Sequence, residues 1–203
     1  MKENKYDEER FFEKYSQMDR SRKGLQGAGE WPALEKMLPP FAGQDVLDLG
    51  CGYGWHCRYA AEHGAASVLG TDLSQKMLAV ARTRNAHPQV TYRQAAMEDL
   101  DFAPESFDVV LSSLAFHYVK EYEALIQKIR RWLRPDGWLV FSAEPPGLYC
   151  LRLPGLVLRC RRQHPPLPGG PLFLRGTAGC RVPGGAGGQI PPHPDHLSEH
   201  AAQ

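Results

Sequence analysis

Residues 46–54 read Val-Leu-Asp-Leu-Gly-Cys-Gly-Tyr-Gly, an apolar strand that runs without a break into a glycine-rich turn. Three glycines in five positions strip the Cβ atoms from one bend, so the main chain can take positive φ and approach a ligand. A strand delivered this way into a helix is half of a βαβ unit, which demands a parallel neighbour and a crossover. The chain up to residue 144 obeys that demand. Residues 45–49, 67–71, 90–94, 107–112 and 138–142 are expected strands, and residues 53–63, 75–85 and 121–133 are expected helices. Gly64 closes the first helix and Ser74 caps the second. The third carries Tyr122, Leu125, Ile126, Ile129, Trp132 and Leu133 on one stripe. Arg134-Pro135-Asp136-Gly137 reads as a turn. Helices at 6–18 and 31–38 precede the sheet, the latter ending at Pro39-Pro40. The expected fold is α/β: a doubly wound, mostly parallel, Rossmann-like sheet covered on both faces.

Composition bounds the partners. With 203 residues the chain is long enough for one domain with its own core. The 24 basic and 23 acidic residues nearly cancel. That balance argues against a polybasic nucleic-acid or membrane-surface binder and leaves a small molecule as the default partner. No apolar run is long enough to span a bilayer. The N-terminus is charged and lacks the apolar core of a secretory signal, so the expected location is the cytoplasm. Cys51 and Cys57 read as small buried residues rather than metal ligands. Cys150, Cys160, His164 and Cys180 lack metal-ligand spacing, so no metal site is expected.

Chemistry is expected beyond the carboxyl ends of the strands, where open parallel sheets bind ligands. Asp72 ends the second strand, one βαβ unit after the glycine turn, and a carboxylate there can accept both hydroxyls of a ribose. The competing reading is a purely structural turn with Asp72 as a helix cap. A dinucleotide site needs G-x-G-x-x-G/A; here the glycines run G-x-G-x-G and Trp55 follows, which disfavours an NAD-binding oxidoreductase.

Taken together, Val46–Gly54, Gly70-Thr71-Asp72-Leu73-Ser74, Ala95–Leu100, Phe107–Leu114 and Leu133–Gly137 resemble the ordered motifs of class I S-adenosylmethionine-dependent methyltransferases, of the small bacterial, type 11-like kind. The resemblance covers about residues 10–144. It implies S-adenosylmethionine as cofactor. It sets Asp48, Leu49, Gly50, Cys51, Gly52 and Gly54 against the amino-acid part, and Asp72 on the ribose. Leu73 and Met77 would flank the adenine, with Met97 and Glu98 in the loop that covers it. Ala96 stands where many relatives carry Asp. Ser113 would line the methyl-transfer site. The implied reaction is in-line displacement at the methyl carbon, in which the protein mainly aligns the reactants. No general base is obligatory, so no catalytic residue is named; a non-catalytic cofactor-binding fold is the alternative. His117 is a candidate for acceptor contact or proton removal, or else a loop histidine closing the strand end. Tyr15 and Trp31, in a lid segment over residues 1–40, could face the sulfonium by cation–π attraction or simply pack. Arg20 and Glu30 could touch a carboxylate or form a surface ion pair.

At residue 145 the composition breaks. Of the 59 residues from there on, 21 are Pro or Gly, only two are acidic and none is Lys. The domain plan is therefore a lid segment at 1–40, a cofactor-binding core at 41–144 and a disordered Pro/Gly-rich tail at 145–203. The resemblance stops at the same place. A one-base insertion near codon 145 would explain both: suitable synonymous codons let the neighbouring frame read a string rich in aromatics and acids, with few prolines. A genuine Pro/Gly-rich tail is the alternative. On either reading the last strands of the sheet are expected to be missing, leaving the fifth strand as an open edge.

Overall fold

The structure, a computed structural model, describes residues 4–143 and the backbone of two further strands, Leu156–Arg161 and Leu174–Gly176. Five parallel strands form its centre: β1 (Asp45–Leu49), β2 (Ser67–Asp72), β3 (Val90–Gln94), β4 (Phe107–Ser113) and β5 (Leu133–Ala143). Two antiparallel strands, β6 (Leu156–Arg161) and β7 (Leu174–Gly176), extend the sheet in the order β3-β2-β1-β4-β5-β6-β7. The order reverses between β2-β1 and β4-β5, so the crevice at the carboxyl ends of β1 and β4 is where a ligand belongs.

Side chains alternate across this sheet. Val46 joins the core layer built with Trp31, Leu34, Cys57, Ala60 and Leu78. Leu47 and Leu49 join the opposite layer with Leu125, Ile129 and Trp132. The helices that supply these layers are α3 (Trp31–Glu35), α4 (Trp55–Glu62), α5 (Gln75–Arg84) and α6 (Tyr122–Trp132). The stripe read from sequence is the buried one: Leu125, Ile129 and Trp132 are each at most 1% exposed. Ser74 caps α5, its Oγ accepting from Met77 N at 3.1 Å.

Several local expectations are revised. The helix predicted at 6–18 is a 3-10 turn (Lys5–Asp7) followed by α1 (Glu9–Ser16), and an unpredicted short helix, α2 (Asp19–Arg22), comes after it. α4 starts at Trp55 rather than Tyr53, because Gly54 at φ +78 is still in the turn. The turn expected at 134–137 lies inside β5 as a bulge: pairing jumps from Phe107↔Leu133 to Val109↔Trp138, and Asp136 takes φ +64. Arg134 fixes that bulge by donating to Asp108 at 2.5 Å and Asp45 at 2.9 Å.

The largest correction concerns the missing strands. β6 pairs with β5 from Trp138↔Arg161 to Ala143↔Leu156, and β7 pairs with β6. The backbone groups that an open β5 edge would expose are thereby paired. Leu156–Arg161 is a proline-free run, Leu-Val-Leu-Arg-Cys-Arg, inside a segment whose overall composition hides it. Cys150, His164 and Cys180 lie outside the described residues.

Candidate cofactor-binding and active site

The glycine turn after β1 is shaped by three positive φ values, +72 at Gly50, +53 at Gly52 and +78 at Gly54. The three glycines do different work. A Cβ on Gly50 would meet Ala115 Cβ at 2.4 Å, and one on Gly54 would meet Tyr92 Oη at 2.2 Å. Both are close-packing positions. Beside Gly52 nothing lies within 4 Å of that Cβ point, so its main chain faces open space. The turn's amides are already spent. Gly50 N and Cys51 N donate to Thr71 O at 2.8 and 2.9 Å, Gly54 N to Cys51 O at 2.8 Å, and Gly52 N to Asp72 Oδ2 at 2.8 Å. A pyrophosphate is held by several free N–H donors, and these four are not free.

Asp72 stands at the end of β2 with each oxygen holding one main-chain N–H: Gly52 on Oδ2 and Ser74 on Oδ1, both at 2.8 Å. The cap reading is therefore half correct, since Asp72 does hold the turn before α5. A carboxylate offers about four lone-pair sites, so one remains on each oxygen for a diol. Burial pushes the Asp72 carboxyl above the ordinary range, against the pull of the Ser74, Gly52 and Leu73 amides.

Asp48 lies beneath the turn, 1% exposed. Its Oδ2 accepts from Cys57 Sγ at 3.2 Å, while Oδ1 has no hydrogen-bond partner among the described residues. Burial pushes its pKa up to about 7. Cys51 and Cys57 both abut Gly70, and burial raises both thiols, so they stay protonated and pack as small apolar groups. Among the described residues no group of three or more His, Cys, Asp or Glu is placed to hold a metal.

On the adenine side, Leu73 follows Asp72 directly. Met77 is 2% exposed, closed beneath the first turn of α5. Met97 Cε sits 3.4 Å from the Gly50 Cβ point. Glu98 is held by its carbonyl, which accepts from Lys128 Nζ at 2.7 Å.

The carboxyl ends of β4 and β5 gather a second set of groups. Ser113 Oγ donates to Glu30 Oε1 at 2.9 Å and lies 3.1 Å from Ser142 Oγ. Glu30 also pairs with Arg20. The expected ion pair exists, but Glu30 is only 5% exposed, so it is no surface bridge. Trp31 packs against His56 and Tyr59 with centroids 5.5 and 4.8 Å away, and is 3% exposed; the packing reading holds for it. Tyr15 stands edge-on to Tyr6 and Tyr53 at 5.4 and 5.7 Å. Its hydroxyl is pushed upward chiefly by burial, and it feels the charges of Asp72, Arg20 and Glu30. It therefore stands between the two sets. His117 sits in a 3-10 turn after β4, its ring 4.2 Å from that of Tyr118. Tyr6, Tyr53, Tyr118, His56 and Ser142 escaped the sequence reading. Of these only Tyr53 carried a signal, its place inside the glycine turn.

A doubly wound parallel sheet with a glycine turn after β1, four of whose amides are bonded internally, and a carboxylate at the tip of β2 match the class I methyltransferase fold. Residues 47–141 match the family described as a methyltransferase domain. It is 38% identical over 151 residues to an uncharacterized protein of Haemophilus influenzae, covering 71% of this chain and 59% of that one. An S-adenosylmethionine dependent methyltransferase from Mesorhizobium loti is 50% identical, with a TM-score of 0.59 over 61% of this chain and 57% of the other. Phosphoethanolamine N-methyltransferase 1 of Haemonchus contortus, solved with phosphoethanolamine and S-adenosylhomocysteine, is 26% identical. Its TM-score is 0.60 over 71% of this chain and 33% of that one. The chain thus spans less than two thirds of each of these relatives. The Mesorhizobium loti protein depends on S-adenosylmethionine. The open face at Gly52, the unpartnered Asp48 Oδ1 and the spare acceptor capacity of Asp72 fit it.

Proposed function

We propose that this chain transfers the methyl group of S-adenosylmethionine to a small-molecule acceptor in the cytoplasm. The observation that carries the reading is Asp72. It is a carboxylate fixed by two main-chain amides at 2.8 Å beside Gly52, the glycine of the turn whose Cβ point has no described atom within 4 Å. Asp72 would hold the ribose hydroxyls, and the main chain at Gly52, with Asp48 beneath it, the amino-acid part. Leu73, Met97 and Glu98 would surround the adenine, with Met77 supporting them from below. When bound, the cofactor supplies a methyl group on a positively charged sulfur that a nucleophile displaces in line.

The chain's own residues align and enclose. Ser113, Glu30 and Arg20 line the transfer end, and the Tyr15 ring offers its face to a cation. Residues 1–40 act as the lid. Burial keeps the Tyr6 and Tyr15 hydroxyls protonated, so neither serves as a ready base. His117 is the proposed contact for the acceptor. No described helix is long and apolar enough to cross a membrane, in keeping with a freely diffusing acceptor.

Calorimetric titration tests this reading. S-adenosylmethionine should bind and NAD should not. Asp72→Ala should weaken binding about 100-fold, the scale of two hydrogen bonds to a charged group. Unchanged affinity in that variant removes the proposal. The same reading takes residues 145–203 as the product of a one-base insertion. The gene sequence at codon 145 decides that point, and an intact frame with unrelated codons discards it.

A further inference from the structure

Residues 4–7 cross from one side of the cofactor mouth to the other. On the α5 side, Asp7 Oδ1 accepts from Ser74 Oγ at 2.5 Å and Lys76 N at 3.1 Å, and Oδ2 from Gln75 N at 3.3 Å. Asn4 Nδ2 adds a bond to Asp7 Oδ2 at 2.6 Å and one to Leu73 O at 3.4 Å. On the β4 side, Tyr6 Oη meets Tyr118 Oη at 3.0 Å. Between these anchors the Tyr6 ring rests edge-on against Phe11 and Tyr15 at 5.0 and 5.4 Å.

The α5 anchor leads to the ribose acid. Ser74 gives its hydroxyl to Asp7 and its main-chain N–H to Asp72, and Asp72 takes the Gly52 N–H on its other oxygen. One hydrogen-bonded path therefore runs from Asp7 through Ser74 and Asp72 to the glycine turn, joining segments more than sixty residues apart in sequence. Asp7 also lies close enough for its charge to bear on Asp72. The first turn of α5 leaves four N–H groups without intrahelical partners. Ser74 Oγ takes that of Met77, while Asp7 takes those of Lys76 and Gln75, so the N-terminal segment supplies two of the three side-chain acceptors at this helix end.

We propose that residues 4–7 form a strap latched across the cofactor mouth, with Asp7 as a positioning residue that sets the Asp72 carboxylate through Ser74. The proposal rests on the reading of Asp72 as the ribose acid. Cofactor enters and leaves when the Tyr6–Tyr118 contact parts, and Asp7 sets how often the α5 anchor follows.

Trypsin cleavage after Lys5, Arg10 and Lys14 in the cofactor-free full chain reads the latch directly. Stopped-flow binding of S-adenosylhomocysteine reads its effect on the site. Asp7→Ala should raise cleavage about fivefold, as expected when a cap is lost and proteolysis tracks the open population. It should also speed S-adenosylhomocysteine dissociation about tenfold, since such changes fall mostly on the off-rate. Asp7→Asn, which keeps an oxygen for Ser74 and Lys76, should restore most of both. Tyr6→Phe should speed association and dissociation together, leaving the dissociation constant within about twofold. Unchanged cleavage and dissociation in Asp7→Ala overturn the strap. If that variant does not fold, unchanged association and dissociation rates in Tyr6→Phe overturn it equally. Should the unaltered chain fail to bind S-adenosylhomocysteine, the ribose reading falls and cleavage alone judges the latch.

Discussion

The two halves of the crevice are built differently. The half formed by β1 and β2 presents main chain and two carboxyl groups, all within Asp48–Asp72. The half formed by β4 and β5 presents Arg20, Glu30, Ser113 and Ser142, side chains drawn from four separate segments. The first half is held by backbone bonds at 2.8–2.9 Å and by positive φ at three glycines. The second is held by an ion pair and by hydroxyls at 2.9–3.1 Å. A site made of main chain tolerates little change in local conformation. A site made of side chains tolerates repacking but depends on each partner's charge.

That contrast has measurable consequences, and the largest lies in the main-chain half. Gly54→Ala places a Cβ 2.2 Å from Tyr92 Oη at φ +78. Overpacking and a left-handed non-glycine residue each cost 1–3 kcal/mol, so a loss of about 3 kcal/mol is expected, with cofactor binding lost alongside. Chemical denaturation with parallel titration would show it. A loss well under about 1 kcal/mol would mean that the turn is not rigid.

In the side-chain half the effect should depend on which partner is removed. Arg20→Ala leaves Glu30, 5% exposed, as an uncompensated charge; Glu30→Gln removes that charge and leaves Arg20, 24% exposed, in contact with water. Arg20→Ala should cost about 2 kcal/mol and Glu30→Gln about half of that, after allowance for solvent at Arg20. Equal losses would show that burial of Glu30 does not govern the pair.

pH separates the halves further. Asp48, under the glycine turn, is raised by burial to about 7. An unfolded aspartate ionises near 4, so across that interval the native state keeps a proton that the unfolded state has shed. Its contribution to stability falls as pH rises. His56, packed on Trp31 toward Glu30 and Arg20, is pushed down by burial to about 4. Unfolded histidine binds its proton up to about 6.5, so here stability rises with pH over nearly the same window. The two slopes oppose each other. Asp48→Asn should steepen the rise and His56→Gln should expose the fall, as read from denaturant midpoints across the window. Parallel pH profiles in both variants would refute the assignment.

The smallest effect belongs to the outer surface, which serves neither half. Arg58 and Glu62 pair at 2.7 Å with side chains 45% and 48% exposed. Arg58→Ala should change stability by at most about 0.5 kcal/mol.

Particular residues show why the halves differed in legibility. Gly50, Gly52, Gly54 and Asp72 stood in the sequence at the spacing their geometry requires. Their roles arise within a single βαβ unit, where local conformation determines contacts. Glu30 and Ser113 lie 83 residues apart and meet at 2.9 Å only because α3 packs against β5, the neighbour of β4. Tyr6 and Tyr118 are separated by 112 residues. No local pattern encodes such a meeting. β6 was missed for another reason: six strand-forming residues were outweighed by the prolines and glycines around them.

The chain's own order of residues determined the alternation of strand and helix, the glycine turn and the acid one unit later, because each follows from short-range sterics and periodic burial. The tertiary structure alone decided which glycine faces the open crevice, that the turn's amides are already occupied, and that Asp7 reaches α5. Those outcomes depend on what packs against each atom from distant segments, and packing is fixed only when the whole sheet has closed.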